Sequence, residues 1–297
     1  MVLSIIICTY NRVKFLEKCI NSILNQINDY PEIEVVIIDN NSQDNTRKFI
    51  ESLNRENIKY YLEINQGLSH ARNKGIQVSK GKFLAFVDDD AVIDKNWVIS
   101  LMEQIKKKQY NHIYGGPIYP NFEIECPKWI DQNYFIRKFK KTDGFLDSIT
   151  AQDGFSGGNM CIPKEIFNNI GYFNTNLGMQ GKKMGLGEES ELFYRIYSKL
   201  SEVKLYNINE MSITHFEGKF KLEKTYLKNR ITLSSIQFTN RLLENKSLKS
   251  IIMIFGKLFK QTISLFINLI LSLFITKRKS HYLKNYWIIN GILKSIF

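Results

Sequence analysis

Three carboxylates in a row, Asp88, Asp89 and Asp90, end the uninterrupted apolar run Phe83-Leu84-Ala85-Phe86-Val87. Adjacent acids repel one another unless hydrogen-bond donors or a cation offset them. A hard divalent ion such as Mg²⁺ or Mn²⁺, itself holding phosphate oxygens, is their natural chemical partner. In isolation the triplet reads equally as a solvated acidic turn. A calcium loop of the EF-hand type is a poor match, because Val92 stands where that loop needs an oxygen ligand and Ile93 where it needs glycine. A second acidic group, Glu188-Glu189-Ser190-Glu191, follows the glycine-rich stretch Gly178 to Gly187, which contains Lys182, Lys183 and Met184, and opens a helical pattern through Leu200. By default, acids in a first helical turn complement the helix dipole, worth about 0.3–1 kcal/mol each.

The elements that must carry these groups follow a repeating order. A run of five apolar residues bounded by charge is the pattern of a strand buried on both faces, so Asp88 to Asp90 sit at a strand's C-terminal end. Val2 to Cys8 is a β-branched run followed by Thr9-Tyr10-Asn11-Arg12 and a helical pattern over Val13 to Gln26. Glu34 to Ile38 ends in Asp39-Asn40-Asn41-Ser42 before a helix near Gln43 to Leu53. Ile58 to Leu62 leads through Asn65-Gln66-Gly67 to a helix carrying Ser69-His70-Ala71-Arg72-Asn73. Repeated β-α units imply a parallel sheet with helices on both faces and all loops delivered to one edge. The loops Thr9 to Arg12, Asp39 to Ser42 and Asp88 to Asp90 therefore face one crevice, where open α/β sheets bind ligands. No dinucleotide fingerprint and no P-loop follows any strand, so phosphates must be held by a metal and side chains. A helix near Asp94 to Lys108 and an edge strand near His112 to Tyr119 close this half. Pro120 to Asp153 loses periodicity, with Trp129 among scattered aromatics, as functional loops or lids do. Gly157 and Gly158 mark a place where backbone approaches something closely.

Composition divides the chain in two. Of its 297 residues, 219–297 hold 15 Lys/Arg against 2 Asp/Glu, a balance of +13, and residues 1–218 hold 26 against 27. The basic quarter calls for a polyanionic partner. Nucleic acid is disfavoured because no base-reading motif accompanies the lysines. Lys219 to Glu244 reads as a basic helix. The apolar segment Ile251 to Thr276 is interrupted by Lys257 and Lys260, and its longest charge-free run, Gln261 to Thr276, is 16 residues, short of the roughly 20 that cross a bilayer. Lys257, Gln261, Ser264, Asn268 and Ser272 fall on one narrow stripe of a helix. With Lys277-Arg278-Lys279 behind it, this suits a helix lying in the membrane interface; a core helix packed on the first domain and a membrane span are the alternatives. Tyr282 to Phe297, with Trp287, is a second amphipathic piece. Cys8, Cys19, Cys126 and Cys161 show no zinc-type spacing and read as reduced thiols. The apolar N-terminus lacks a basic region and reads as a strand rather than a signal peptide.

Six landmarks in order together resemble the inverting glycosyltransferases of family 2: Ser4 to Arg12, Val36 to Ser42, Asn65 to Asn73, Asp88 to Asp90, Gly157-Gly158-Asn159-Met160 and Gly187 to Leu192. The resemblance covers about residues 2 to 217 and implies the glycosyltransferase A fold, a Rossmann-like, mostly parallel sheet with helices on both faces. Domain boundaries at 1–218 and 219–297 follow. By this resemblance Thr9, Tyr10, Asn11, Arg12 and Asp39 form the nucleotide-base pocket, and Arg72 lies near the pyrophosphate. Asp88 lies near the ribose and joins Asp90 as a ligand of the Mn²⁺ or Mg²⁺ that bridges the diphosphate, and Asp89 and Asn159 belong to the donor site. His215, after the last strand, reaches the metal or the diphosphate. Glu189 stands where the family carries its general base, usually Asp; the extra methylene leaves the choice between Glu189 and Glu188 open. Glu191 is either part of the motif or a partner of Arg195 at i+4. Trp129 falls on the acceptor side. The implied reaction moves a sugar from a nucleoside diphosphate, UDP favoured, to a hydroxyl of a glycan or lipid-linked glycan in cell-surface polysaccharide synthesis. The enzyme would work from the cytosolic face of an anionic membrane. A sugar nucleotidyltransferase and an inactive sugar-nucleotide-binding protein are the alternatives.

Overall fold

The structure is a computed structural model describing residues 1–107, 109–146, 154–181, 183–244, 248–273 and 278–296. Lys108, Asp153, Lys182, the stretch from Phe274 to Lys277 and Phe297, named above, lie outside these residues.

In chain order the elements are β1 (Leu3–Thr9), α1 (Val13–Ile27), β2 (Ile33–Asp39), α2 (Thr46–Ser52), β3 (Ile58–Leu62), α3 (Leu68–Val78), β4 (Phe83–Asp88), β5 (Ala91–Ile93), α4 (Trp97–Ile105), β6 (His112–Gly115), β7 (Ile118–Phe122), β8 (Gly144–Phe145), β9 (Asn159–Pro163), α5 (Lys164–Ile170), α6 (Glu188–Lys199), β10 (Lys204–Asn207), β11 (Ile213–Glu217), α7 (Lys224–Glu244), α8 (Leu248–Ser272) and α9 (Arg278–Ile296). They fall into two compact units, one of residues 1–121, 136–183 and 188–216, the other of residues 122–135, 184–187 and 217–297.

The first unit is built on an eight-stranded sheet of order β3-β2-β1-β4-β9-β6-β10-β8. Its first four strands are parallel, with Cys8 level with Asp88 and Thr9 level with Asp39. The predicted polar loops therefore leave the sheet at one edge. Alternate strand residues supply two cores, which explains why the strands read as continuous apolar runs. Leu3, Ile5, Ile7, Val35, Ile37 and Val87 pack with Leu16 and Ile20 of α1 and Trp97 and Leu101 of α4. Ile6, Val36, Ile38, Leu84 and Phe86 pack with Ile76 of α3, Phe167 of α5 and Leu192 of α6.

Two features depart from a simple repeat. β9 runs antiparallel to both β4 and β6. The expected edge strand over His112 to Tyr119 is two strands, and its first half lies inside the sheet between β9 and β10. Gly115-Gly116-Pro117 divides them: a Cβ on Gly116 would sit 2.0 Å from the Met211 carbonyl oxygen, and one on Gly115 2.3 Å from the Phe155 ring. A small second sheet, β5-β11-β7, pairs His215 with Ala91 and so folds the late histidine back beside the acidic triplet.

The second unit is helical. Phe135, Leu227, Ile231, Phe238, Ile254, Trp287, Ile288 and Ile292 form its core, with Trp129 packed against them. Gly291 lets α9 close on α7, since a Cβ there would lie 2.6 Å from the Thr232 carbonyl. The basic helix expected from Lys219 begins instead as a short 3₁₀ turn over Lys219–Leu222, with α7 following. Among the described residues one helical stretch, Ile251–Ser272, is long and apolar enough to cross a membrane, at 22 residues and mean hydropathy 1.4.

Candidate active site

The end of β4 turns sharply, and the three acids point to different partners. Asp89 is buried and accepts from the Thr9 hydroxyl at 2.8 Å and from Arg12 Nη1 at 3.1 Å. The same Arg12 nitrogen reaches Asp90 Oδ2 at 3.0 Å. Burial, with the charge of Asp90 beside it, pushes the Asp89 carboxyl up to about 7, against the pull of Arg12. His215 Nε2 lies 3.0 Å from Asp90 Oδ1 and 3.8 Å from Asp88 Oδ2. Asp88, Asp90 and His215 thus bring one ligand atom each within 4.8 Å of one another. The two carboxylate oxygens are hard donors of the kind that hold Mn²⁺ or Mg²⁺, the imidazole nitrogen is a softer one, and three protein ligands would leave further coordination positions open.

Beside Asp88 stands a second carboxylate group, joined to the first by one arginine. Arg72 of α3 is 3% exposed and stacks its guanidinium 5.4 Å above the Phe173 ring. It reaches Glu188 Oε1 at 3.1 Å, Glu189 Oε1 at 3.5 Å and Asp88 Oδ1 at 3.6 Å. Burial opposes its charge, but Glu189, Glu188 and Asp88 together hold its pKa above the ordinary arginine value. The two glutamates differ. Glu188 is buried, its Oε2 has no hydrogen-bond partner among the described residues, and burial with the neighbouring Glu189 charge pushes its carboxyl up to about 8 despite Arg72. The Glu189 side chain is 25% exposed and accepts from the Gly157 amide at 3.2 Å. Gly157 and Gly158 run against these groups: a Cβ on Gly157 would meet both Arg72 and Glu189 at 2.4 Å, and one on Gly158 would meet Asp88 Oδ2 at 2.1 Å. The close approach read from the paired glycines is therefore an approach to the site's own acids and arginine.

Residues 4–171, more than half of the chain, match the family model for glycosyl transferase family 2. The chain belongs to glycosyl transferase family 2. Among relatives of this family 2 transferase, a glucosyl-dolichyl phosphate glucuronosyltransferase of Haloferax volcanii is 23% identical over 230 residues, 76% of this chain and 73% of that protein. A GalNAc(5)-diNAcBac-PP-undecaprenol beta-1,3-glucosyltransferase of Campylobacter jejuni is 36% identical over 118 residues, 38% of this chain and 37% of that protein. Among solved structures, the mannosyltransferase PcManGT of Pyrobaculum calidifontis, in complex with GDP-Man and Mn²⁺, aligns with a TM-score of 0.65 at 15% identity over 99% of this chain and 87% of that one. The fold is the glycosyltransferase A fold, with a helical C-terminal region added.

The remaining expected site residues of the transferase fall into separate places. Asp39 is buried, accepting from the Ser42 amide at 2.8 Å and the Tyr60 hydroxyl at 2.9 Å. Asn11, in the left-handed region at φ 54°, donates its amide to Ser42 Oγ and accepts from the Gln43 amide through Oδ1, at 2.8 and 2.7 Å. Asp44 accepts from the Val13 amide at 3.0 Å and the Thr46 amide at 3.1 Å, so one carboxylate serves the starts of both α1 and α2. Tyr10 is half-buried in the same loop. Thr9 and Arg12, grouped with this loop by sequence, turn their side chains to the acidic triplet instead. Asn159 does not join either group: it is fully buried, accepting from Trp97 Nε1 at 2.9 Å and donating to the carbonyls of Met211 and Pro117 at 2.7 and 3.2 Å. Trp129, half-buried, packs against the helical unit's core. Glu191 forms a bidentate pair with Arg195 at 2.6 and 2.9 Å. Tyr60, Phe173 and Asp44 carry roles that no local spacing announced, since their partners lie on other elements.

Proposed function

We propose that this chain is a divalent-metal-dependent, inverting glycosyltransferase. It moves one sugar from a nucleoside diphosphate donor, with uridine favoured, to a hydroxyl of a glycan or lipid-linked glycan in cell-surface polysaccharide synthesis. The observation that carries the reading is the metal-competent set Asp88, Asp90 and His215 joined through Arg72 to a partly exposed carboxylate, Glu189. The lipid-linked acceptors in the names of the Haloferax and Campylobacter relatives support the acceptor class. Residues 1–218 carry the chemistry; residues 219–297 meet the anionic cytosolic face of the membrane, where their +13 balance is favourable.

In this mechanism Asp88, Asp90 and His215 would hold the ion, which when bound supplies positive charge against the departing diphosphate. Glu189 accepts the proton of the acceptor hydroxyl as that oxygen bonds to the anomeric carbon, on the face opposite the breaking bond to the diphosphate, so configuration inverts. Arg72 keeps Glu189 oriented, and the protonated Glu188 removes one competing negative charge from the same guanidinium. Asn40, Asn11 and Asp39 hold the loops after β1 and β2 in place for the base.

A thermal-shift panel of UDP, GDP, dTDP and CDP, each with and without Mn²⁺, tests the reading. One nucleotide, UDP by expectation, raises the melting temperature only with metal, and Asp90→Ala abolishes the shift. A folded protein that responds to no nucleotide would sink the transferase proposal. Gly158→Ala probes the same site without removing a ligand. Its Cβ must displace the Asp88 carboxylate, so Mn²⁺ affinity measured by calorimetric titration is expected to fall about ten- to a hundredfold. An unchanged affinity would show that Asp88 does not hold the ion.

A further inference from the structure

The polarity of α8 is inverted relative to a helix on a water-facing bundle. Its polar stripe faces inward. Lys257 lies 3.6 Å over the Phe238 ring of α7; Ser264 Oγ accepts from Asn285 Nδ2 of α9 at 2.8 Å; Asn268 donates to the Ser264 carbonyl at 2.8 Å and accepts from Arg278 at 3.3 Å. Ile254 enters the helical core, but most of the large apolar residues face outward: Ile252, Phe255, Phe259, Phe266 and Ile270 are between 61 and 70% exposed. In water a helix buries its apolar stripe and solvates its polar one. Here hydrogen bonds and a cation–aromatic contact join Ile254 in holding the seam to α7 and α9, as expected where the outer medium is hydrocarbon and polar groups must find partners between helices.

We infer that α8 is a leaflet-inserted helix, lying along the membrane with its outward face in the acyl chains of one leaflet and not crossing the bilayer. The occupant of that face is anionic phospholipid. Two observations select it over a protein partner. The region carrying the face has 15 Lys/Arg against 2 Asp/Glu, which disfavours a second copy of the same basic surface and complements anionic headgroups. Lys260, exposed among the apolar residues, falls at the margin of the outward face by the helical period, where its stem can reach headgroups while its neighbours stay immersed. Asn268 and Asn285 are already bonded within the seam, so immersion leaves neither amide without partners. This deepens the membrane-surface reading above from charge attraction to apolar insertion.

Flotation of the full chain with phosphatidylcholine vesicles, with and without phosphatidylglycerol, tests it. Wild type is expected to float with the anionic vesicles and to stay bound after a wash at about 1 M salt, where the screening length is roughly 3 Å. Phe259→Ser with Phe266→Ser changes only exposed side chains, so the melting temperature should hold. The vesicle partition coefficient should fall by about a hundredfold for the pair. Complete release of wild type by salt would overturn insertion while leaving electrostatic docking standing. No flotation with either vesicle, from protein that still binds nucleotide, would overturn both membrane readings and leave the transferase intact. A dimer in vesicle-free sedimentation that the same double variant dissociates would assign the face to a second copy. A C-terminal tag shielded from protease by sealed vesicles would show a span instead.

Discussion

Glu189→Gln is expected to lower transferase turnover roughly a hundred- to ten-thousandfold, the usual yield of a positioned general base, while metal-dependent nucleotide binding stays unchanged. The expectation rests on the contrast between neighbours. A base must be ionised and must reach a hydroxyl; Glu189 is partly exposed and oriented by the Gly157 amide and Arg72. Glu188 is buried, and its carboxyl, pushed up to about 8, is protonated at neutral pH. Glu188→Gln therefore replaces one neutral group with another of the same shape and should leave most turnover in place. Initial rates of sugar transfer at saturating donor decide the matter. If Glu188→Gln is the more damaging change, the roles of the two residues are reversed; if neither matters, the base lies elsewhere.

Arg72→Leu carries the largest expected stability effect. Its guanidinium is the one cation shared by Glu188, Glu189 and Asp88 among the described contacts. Removing one partner from such a buried set costs about 3–5 kcal/mol. The pH dependence follows from Glu188. Its carboxyl titrates at about 8 in the fold against an ordinary 4.5, because of burial and the charge of Glu189. The stability that this retained proton contributes is complete below about pH 4.5 and is lost as the pH rises through about 8. Arg72 is the group pulling that value down, so without it the shift widens. Urea denaturation should show the Arg72→Leu penalty largest above pH 8 and shrinking towards about pH 5, where protonation relieves the acids. A penalty equal at both ends would mean that Arg72 acts through packing on Phe173 rather than through charge.

The parallel half of the sheet was legible because its strands are short apolar runs ended by polar loops, a pattern set by burial on both faces. The same logic placed Thr9, Asp39 and Asp88 at one edge, and the register of β1 against β2 and β4 bears it out. What periodicity could not convey is pairing across long intervals. β9 enters antiparallel after an irregular stretch, and β6, taken for an edge, is interior because β9 pairs with it on one side and the distant β10 on the other. Asn159 was legible as part of a motif but not as a bridge between Trp97 and two carbonyls, since those partners come from three other segments. The polar stripe of α8 could be read from spacing; which way it faces could not, because that is decided by α7 and α9.

The hydrogen bonds that cross between Asn11, Ser42, Gln43, Asp44, Val13 and Thr46 have a dynamic consequence. The loops after β1 and β2 come from separate β-α units, yet neither can open without breaking bonds that anchor the other. They behave as one cooperative opening unit, of the kind that amide exchange resolves as a single kinetic class. Ordering one loop against a ligand also orders its neighbour, so the entropic cost of organising both is met in a single event.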